Sequence, residues 1–204
     1  MASEWFPKPS FFIFVFMNKA EIRKRASKRR QALSAAQVQH LTEQLLSSFS
    51  SLDFKGIKVI HLFLPIEKKK EPNTFLFIDW LKTHHPDIKI IVPRADFDTA
   101  LMTHHEYTGA ASLVKNLFHI LEPQNINPHT GPVDMVLIPL LAFDRRGYRV
   151  GYGKGFYDRF LQGNPAQKIG LSFFAAEEDI ITDIDTHDVK MDRCLSPQHL
   201  YIFD

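Results

Sequence analysis

The chain has 204 residues, of which 45% are hydrophobic, which is enough to bury one sizeable core in a single domain. Its 25 basic and 23 acidic residues leave a net charge of +2, so no global field indicates a nucleic-acid or membrane partner. A single cysteine, Cys194, excludes an intrachain disulfide and favours a reducing cytoplasm as the compartment.

An apolar run, FFIFVF at residues 11–16, sets the beginning of the chain apart. The run is too short to span a membrane. A secretory signal is the minority interpretation, because only Lys8 precedes the run and no small-residue cleavage site follows it. We therefore interpret residues 1–16 as an N-terminal extension and residues 17–204 as a single domain.

Two helices are predicted next. Residues 19–33 form an amphipathic helix with Ile22, Ala26 and Leu33 on its apolar face. Ser34 and Gln37 form a capping box that starts a second helix. The first helix is strongly basic, and the simplest interpretation is a solvated face; its basic residues include Arg23, Lys24, Lys28 and Arg30.

Beyond Gly56 the pattern alternates between strands and helices. Strands are predicted at 57–64, 88–92, 133–138 and 168–172, and helices at 74–82 and 156–161. This alternation implies βαβ units with right-handed crossovers, hence an α/β fold with a largely parallel sheet. Residues 95–108 are expected to form a small antiparallel excursion, and residues 122–132 a loop.

Ten histidines are scattered along the chain, and two pairs are adjacent, at 84–85 and 104–105. Neither pair has further metal ligands at helical spacing. We interpret these histidines as solvated loop residues rather than as a metal site.

The strongest chemical signal is the segment 136–161, which reads VLIPLLAFDRRGYRVGYGKGFYDRFL. A strand buried on both faces leads into a charged turn and then into Gly151, Gly153 and Gly155. Glycines allow successive backbone N–H groups to converge on an anion, and Lys154 adds a full positive charge. The helix expected at 156–161 would place this loop at a helix N-terminus, where a phosphate is favoured.

This glycine loop matches neither of the two familiar nucleotide signatures. A P-loop requires Ser or Thr after its lysine, and here Lys154 is followed by Gly155. The dinucleotide pattern requires a glycine where Phe156 stands. A tight chain reversal is the alternative function of the glycines. Asp158 is placed to hold a divalent cation, with helix capping as its alternative.

The same residues resemble the signature of the 5-formyltetrahydrofolate cyclo-ligase (5,10-methenyltetrahydrofolate synthetase) family, approximately P-x-L-A-F-D-x-x-G-x-R-L-G-x-G-x-G-Y-Y-D. Three more segments match that family in order: the basic helix at 19–34, E-x-x-T at 71–74 and I-x-P-R at 91–94. The resemblance runs from about Lys19 to the end of the chain, so residues 1–16 would be a non-family extension. It implies a three-layer α/β/α fold related to ribose-5-phosphate isomerase and CoA-transferase folds.

The resemblance also implies an activity, namely ATP-driven closure of 5-formyltetrahydrofolate to 5,10-methenyltetrahydrofolate with release of ADP and phosphate. The expected partners are therefore ATP with Mg²⁺ and the folate, with no nucleic acid and no membrane, for a cytoplasmic, monomeric enzyme. The residues expected at the nucleotide are Lys19, Arg23, Arg149, Gly151, Gly153, Lys154, Gly155, Phe156 and Tyr157. Those expected to be catalytic are Lys154, Arg149 and Tyr152.

The remaining expected site residues bind folate and metal. The folate residues are Ile66, Glu71, Asn73, Tyr152 and Phe156, and the magnesium ligands are Asp158 and Asp188, with Asp192 a weaker alternative to Asp188. Some family members carry a glutamate where Asn73 stands, so the folate ligand is either Glu71 or Asn73. Ile66 has an equally good interpretation as a core residue. The lysines at 68–70 would attract a polyglutamate tail or form an exposed charge run, which is the favoured interpretation.

Three alternative functions make different predictions. A small-molecule kinase would use the same glycine loop and release a phosphorylated product. A sugar-phosphate isomerase would need no ATP. A nucleic-acid module built on the basic helix would bind with a steep salt dependence and would have no use for Asp158.

Overall fold

The computed structural model describes residues 17–125, 127–178 and 180–204, so the extension predicted at 1–16 lies outside the described residues. The α-helices of the described part are α1 (Lys19–Gln31), α2 (Ala35–Ser50), α3 (Phe75–His84) and α4 (Phe156–Leu161). The strands are β1 (Val59–His61), β2 (Lys89–Asp96), β3 (Leu101–Glu106), β4 (Leu113–Lys115), β5 (Leu121–Pro123), β6 (Met135–Pro139), β7 (Ala142–Phe143), β8 (Arg149–Val150), β9 (Gln167–Leu171), β10 (Arg193–Leu195) and β11 (Leu200–Ile202).

The central sheet has seven strands in the order β11-β10-β9-β6-β1-β2-β3. Its inner pairs are all parallel, and only the edge strands β3 and β11 run antiparallel to their neighbours. The α/β fold with a largely parallel sheet is therefore confirmed. Two small ribbons, β4–β5 and β7–β8, lie outside this sheet.

Each face of the sheet is covered by a helical layer. On one face, Phe49 of α2 and Phe77 of α3 pack against strand residues such as Ile60 and Leu137. On the other face, Leu161 of α4 packs in a second cluster with residues of β6 and β10. Strand β6 is buried on both sides from Met135 to Ile138, as its uninterrupted apolar sequence predicts.

The two N-terminal helices begin where their sequence signals place them. Asn18 caps α1 in a capping box with Glu21, and Ser34 caps α2 in the predicted capping box with Gln37. Helix α1 ends at Gln31, so Leu33 lies beyond it, contrary to the prediction. The buried residues of α1 are Ile22, Ala26 and Arg30, which means that one of the expected solvated arginines is in the interior.

Two predicted strands have the wrong length because pairing partners decide where strands end. Strand β1 is Val59–His61 instead of 57–64, since the chain leaves the ladder towards a 3₁₀ turn at Glu67–Lys69. Strand β2 continues to Asp96 instead of ending at 92, because β3 pairs with it antiparallel as far as Asp96 and Leu101. That antiparallel pairing confirms the excursion predicted for residues 95–108.

The prediction of solvated loop residues is wrong for His104 and His105, whereas at the other pair His84 is exposed and His85 lies in the loop after α3. His84 ends α3 and stacks on Trp80 at 4.7 Å between ring centroids. His104 and His105 lie within β3, where His105 is only 2% exposed. Their burial follows from β3 being an edge strand that packs against α4, which sequence periodicity did not indicate.

Candidate functional site

The segments that contain most of the predicted site residues lie together at the edge of the sheet where the parallel strands end. The loop after β1 contains residues 62–74, and the loop after β6 contains residues 140–155. Because β1 and β6 are parallel neighbours, both loops leave the sheet on the same side. Sheet topology thus places the E-x-x-T segment beside the glycine loop.

A short hairpin, β7–β8, carries the glycine loop, and Asp144 closes its turn. The Asp144 carboxylate is 1% exposed and accepts hydrogen bonds from the backbone of Arg146 and Tyr148 and from the Arg146 side chain. It also accepts from the backbone of Ile181, a residue far away in sequence. The acidic residue of the FDRRG turn is therefore a structural anchor for the loop.

The three glycines of the loop play different parts. Gly153 and Gly155 have φ angles of +86° and +67°, which are left-handed conformations that favour glycine. The carbonyl of Gly151 accepts a hydrogen bond from Nε of Arg23 over 2.8 Å. A Cβ on Gly153 would come within 3.2 Å of the Arg23 guanidinium. Arg23 of α1 is therefore packed directly against the predicted phosphate loop.

Lys154, at the centre of the loop, is exposed to solvent. The loop ends at Gly155, which is the residue preceding α4, and α4 spans the predicted residues Phe156–Leu161. Six residues make a short helix, so its dipole adds little. Positive side chains lie beside the loop instead: Arg23 against Gly153, Arg159 against Gly155, and Lys154 in the loop itself.

Both predicted magnesium ligands are engaged in ion pairs. Asp158 lies 2.6 Å from Arg149 and also accepts the backbone N–H of Val189 over 3.2 Å. Asp188 pairs with Lys19. Asp158 and the Asp188–Val189 segment are thus neighbours, although they are far apart in sequence.

Asp192, the weaker alternative ligand, binds the backbone of a sheet strand instead. Its carboxylate accepts the backbone N–H of Lys168 over 2.7 Å, next to the β9–β10 pair. Within the described ranges, no group of three or more His, Cys, Asp or Glu side chains could hold a metal ion. Any cation here would therefore be held by few protein ligands.

Glu71 is joined to the glycine loop by Tyr152. The Tyr152 hydroxyl donates to Oε1 of Glu71 over 2.9 Å, and the backbone N–H of Ile66 donates to Oε2 over 2.7 Å. Glu71 is 5% exposed, and burial raises the pKa of its carboxyl. Arg30 also donates to the Tyr152 hydroxyl. The structure thus brings Glu71 and Tyr152, two predicted site residues, into direct contact.

The Asn73 side chain forms a hydrogen bond within its own segment of the chain. Its side-chain oxygen accepts the backbone N–H of Phe75 over 3.2 Å, at the start of α3. Lys70 is also engaged locally, because its Nζ donates to the carbonyls of Gln31 and Leu33 at 2.6 Å each, beyond the last turn of α1. The lysine run therefore splits, with Lys68 and Lys69 exposed and Lys70 bound to the backbone.

Sequence reasoning missed an aromatic wall next to the glycine loop. Phe97 lies 5.5 Å from Phe156 and 4.5 Å from Phe118, measured between ring centroids. Phe118 is 60% exposed, and its neighbour Leu117 is 96% exposed at the turn between β4 and β5. The available signal was the pair of large apolar residues Leu117 and Phe118 in a stretch for which no strand or helix was predicted.

A second unpredicted feature lies beneath α4. The Tyr157 hydroxyl is buried and has no hydrogen-bond partner among the described residues, and the same is true of both ring nitrogens of His61. The His61 ring lies 5.0 Å from the His104 ring and 5.2 Å from Phe160, between centroids. Burial, reinforced by His104, holds the pKa of His61 well below its usual range.

Known proteins resemble this chain over most of its length. The model of the "5-formyltetrahydrofolate cyclo-ligase family" matches residues 15–197. A 5-formyltetrahydrofolate cyclo-ligase of Mycoplasma pneumoniae is 30% identical over 188 residues, covering 89% of this chain and 100% of the relative. The mouse 5-formyltetrahydrofolate cyclo-ligase is 28% identical, covering 87% of this chain and 92% of its own.

Solved structures give the same result. An NMR structure of Aquifex aeolicus 5,10-methenyltetrahydrofolate synthetase superposes with a TM-score of 0.74 at 30% identity, covering 91% of this chain and 93% of that one. A 5,10-methenyltetrahydrofolate synthetase of Mycoplasma pneumoniae superposes with a TM-score of 0.67 at 27% identity, and the match covers 87% of this chain and 98% of that one. In the described residues, no helix is long and apolar enough to cross a membrane. With matches that span nearly the whole fold, the chain belongs to the 5-formyltetrahydrofolate cyclo-ligase family.

Proposed function

We propose that this enzyme closes 5-formyltetrahydrofolate to 5,10-methenyltetrahydrofolate at the expense of ATP. The observation that carries the proposal is the hydrogen bond between Tyr152 and Glu71, because it couples the glycine loop to the E-x-x-T segment. One loop has the features of a phosphate site and the other provides a buried carboxylate for a heterocycle. A two-substrate reaction requires such neighbouring sites.

The chemistry explains why ATP is needed. The formyl carbon is a poor electrophile and its oxygen a poor leaving group, so the formyl oxygen first attacks the γ-phosphorus and ADP departs. N10 then attacks the activated carbon, the carbon–oxygen bond breaks to release phosphate, and N10 loses its proton. The enzyme's contribution is mainly to position the reactants and to neutralise charge.

Positive side chains and backbone amides would surround the nucleotide. Lys154 is exposed at the loop centre, and Arg23 is packed against Gly151 and Gly153. We propose that Lys154 and the N–H groups of Gly153 and Gly155 stabilise the charge on the transferring phosphoryl group. Arg23 and Lys19 of α1 would contact the outer phosphates.

Magnesium would bind beside the first turn of α4, where Asp158 lies next to the Asp188–Val189 segment. Mg²⁺ is commonly held by one or two carboxylates together with substrate phosphates, which suits a site without a full set of protein ligands. Asp158 and Asp188 would hold the ion, and when bound it would reduce the negative charge on the phosphates. Arg149 orients Asp158 through their 2.6 Å ion pair.

The folate would lie between Glu71 and the aromatic wall. We propose Glu71 as the folate ligand rather than Asn73, because the Asn73 side chain is used at the start of α3. Phe156, Ile66 and Phe97 would provide apolar contacts for the rings of the substrate. Lys68 and Lys69 are exposed, and Lys69 Nζ lies 5.3 Å from the centroid of the Tyr152 ring, so their interpretation as an exposed charge run with no polyglutamate contact is kept.

The test is to mix the pure protein with Mg²⁺, ATP and 5-formyltetrahydrofolate and to monitor the absorbance of the methenyl product. We expect product only when ATP is present, with one ADP released for each ring closed. Failure to form the methenyl product in folded protein would overturn the proposal. A phosphorylated product that persists would instead support a small-molecule kinase.

A further inference from the structure

Arg30 is an arginine in an unexpected place. It belongs to the basic face of α1, yet it is 4% exposed. Its Nη1 donates to the carbonyl of Leu140 over 3.1 Å, just after β6. Its Nη2 donates to the Tyr152 hydroxyl. Removing a guanidinium from water is costly unless hydrogen bonds and an opposite charge offset the desolvation.

Tyr152 connects this charge to Glu71. A tyrosine hydroxyl has one proton to donate and lone pairs that accept, so it can accept from Arg30 while it donates to Glu71. The result is a continuous path from a cation to a carboxylate through one hydroxyl. Hydrogen bonds that end on charged groups are the stronger kind, and neighbouring bonds in a chain polarise one another.

Two kinds of interaction act in opposite directions on the pKa of Glu71. Burial raises the pKa of its carboxyl, whereas the Ile66 N–H, the Arg30 charge, the Tyr152 hydroxyl and the Lys69 charge act in the opposite direction. The titratable groups that face it are Arg30 from α1, Lys69 from its own loop, Tyr152 from the glycine loop and Tyr157 from α4. Lys69 is exposed, so solvent screens its charge, while Arg30 is enclosed.

We propose that Arg30 is a positioning residue that, through Tyr152, orients the Glu71 carboxylate and keeps it ionised for the N–H donors of the substrate's heterocycle. The inference rests on the proposed function of Glu71 as the folate ligand. Two of the oxygen lone pairs of Glu71 are already directed at Ile66 and Tyr152, which fixes the plane of the carboxylate. The remaining lone pairs are then available to a planar ligand with N–H groups.

The first experiment measures Glu71 directly in the free protein. The chain is labelled with ¹³C at the glutamate carboxyl carbon, the Glu71 signal is assigned with Glu71→Gln, and its chemical shift is titrated against pH. The variants are Arg30→Met, Tyr152→Phe and the control Lys28→Met, which removes an equal charge from an exposed position of the same helix. We expect Arg30→Met to raise the midpoint by about one pH unit or more, and Lys28→Met to leave it unchanged.

Tyr152→Phe keeps the ring and removes only the hydroxyl, so it tests the hydrogen-bonded path from Arg30 to Glu71 even if Arg30→Met fails to fold. We expect the titration midpoint of Glu71 to rise in this variant as well. Unchanged midpoints in every variant that folds would overturn the inference. Because no turnover is measured, this result does not depend on the proposed reaction.

The second experiment measures turnover in the intact enzyme. Arg30→Met should raise KM for 5-formyltetrahydrofolate about tenfold while KM for ATP changes less than about twofold, and Arg30→Lys should restore only part of the loss. The pH profile of kcat/KM for the folate should move to higher pH in Arg30→Met. Equal increases in both KM values, with no displacement of the profile, would indicate a structural role and contradict the inference. If the NMR midpoint of Glu71 moves but the wild-type protein makes no methenyl product, the effect of Arg30 on Glu71 through Tyr152 is confirmed and the proposed function is contradicted.

Discussion

The hydroxyl of Tyr152 lies 2.9 Å from Oε1 of Glu71 and joins residues that are 81 positions apart in the chain. The two residues belong to different motifs, Glu71 to the E-x-x-T segment and Tyr152 to the glycine loop. Their contact is made because the loops after β1 and β6 leave adjacent parallel strands at the same edge of the sheet.

This contact predicts the effect of Glu71→Gln. The amide keeps the size of the side chain but lacks the charge that strengthens its hydrogen bonds, so KM for 5-formyltetrahydrofolate should rise by roughly 10- to 100-fold. KM for ATP should change little. The matched control is Glu67→Gln in the exposed 3₁₀ turn nearby, which should behave as wild type in steady-state kinetics. Equal effects of both substitutions would contradict the proposed folate contact.

Lys154→Ala tests the phosphate site. Removing this charge should lower kcat by roughly 100-fold or more, because a preorganised donor that stabilises transition-state charge is lost. The melting temperature should not change, since the side chain is exposed. Lys55→Ala, which removes an exposed lysine before β1, is the control and should retain full activity. A Lys154→Ala enzyme with normal kcat would place phosphoryl transfer elsewhere.

Asp158→Asn tests the magnesium proposal. The Mg²⁺ concentration for half-maximal activity should increase by roughly tenfold or more, as it does when groups around a bound metal are altered. The variant also loses its charged partner for Arg149.

Asp192→Asn provides the comparison for Asp158→Asn, because Asp192 binds the backbone of Lys168 at the sheet. It should reduce stability slightly and leave the Mg²⁺ dependence unchanged. If only Asp192→Asn increased the Mg²⁺ concentration required for half-maximal activity, Asp192 and not Asp158 would be the metal ligand.

Gly153→Ala and Gly151→Ala separate two glycines that look equivalent in the sequence. Gly153 has φ +86° and its added Cβ would meet Arg23 at 3.2 Å, so the change should destabilise the protein by about 1–2 kcal/mol and weaken ATP binding. Gly151 has open space around its added Cβ, so its change should stay within about 0.5 kcal/mol. Urea unfolding measures both stabilities, and equal losses would show that the left-handed conformation of Gly153 is not required.

The histidines beneath α4 predict a loss of stability in acid. Burial lowers the pKa of His104 to about 4 and holds that of His61 well below its usual range. The folded protein keeps both rings neutral, whereas the unfolded chain protonates them near pH 6.5. The free energy of unfolding should therefore decrease as the pH falls from about 6.5 towards 4, by about 1.4 kcal/mol per pH unit for each histidine.

The histidine variants make that prediction specific. His61→Leu and His104→Leu should each flatten the dependence of unfolding free energy on pH. His40→Gln, at an exposed position of α2, should leave the slope unchanged. Chemical unfolding at several pH values measures the slopes, and identical slopes in all four proteins would rule out these histidines as its source.

Local sequence signals were reliable wherever neighbouring residues decide the structure. The capping box of Ser34 and Gln37 and the helix at 156–161 were predicted from signals within a few residues. The buried strand β6 was predicted from its uninterrupted apolar sequence, although its burial comes from its distant neighbours β1 and β9. Strand ends were less reliable. β2 extends to Asp96 because a later strand, β3, pairs with it.

The sequence by itself determined the family and the glycine loop, because these depend on residue type and spacing, and it predicted the site residues. Only the tertiary structure decided how the site is connected. It buried Arg30, placed Tyr152 against Glu71, paired Asp158 with Arg149, and enclosed His61 with His104. The physical reason is that burial and ion pairing depend on which strands become neighbours. That choice involves residues far apart along the chain, and periodicity within a single segment does not report it.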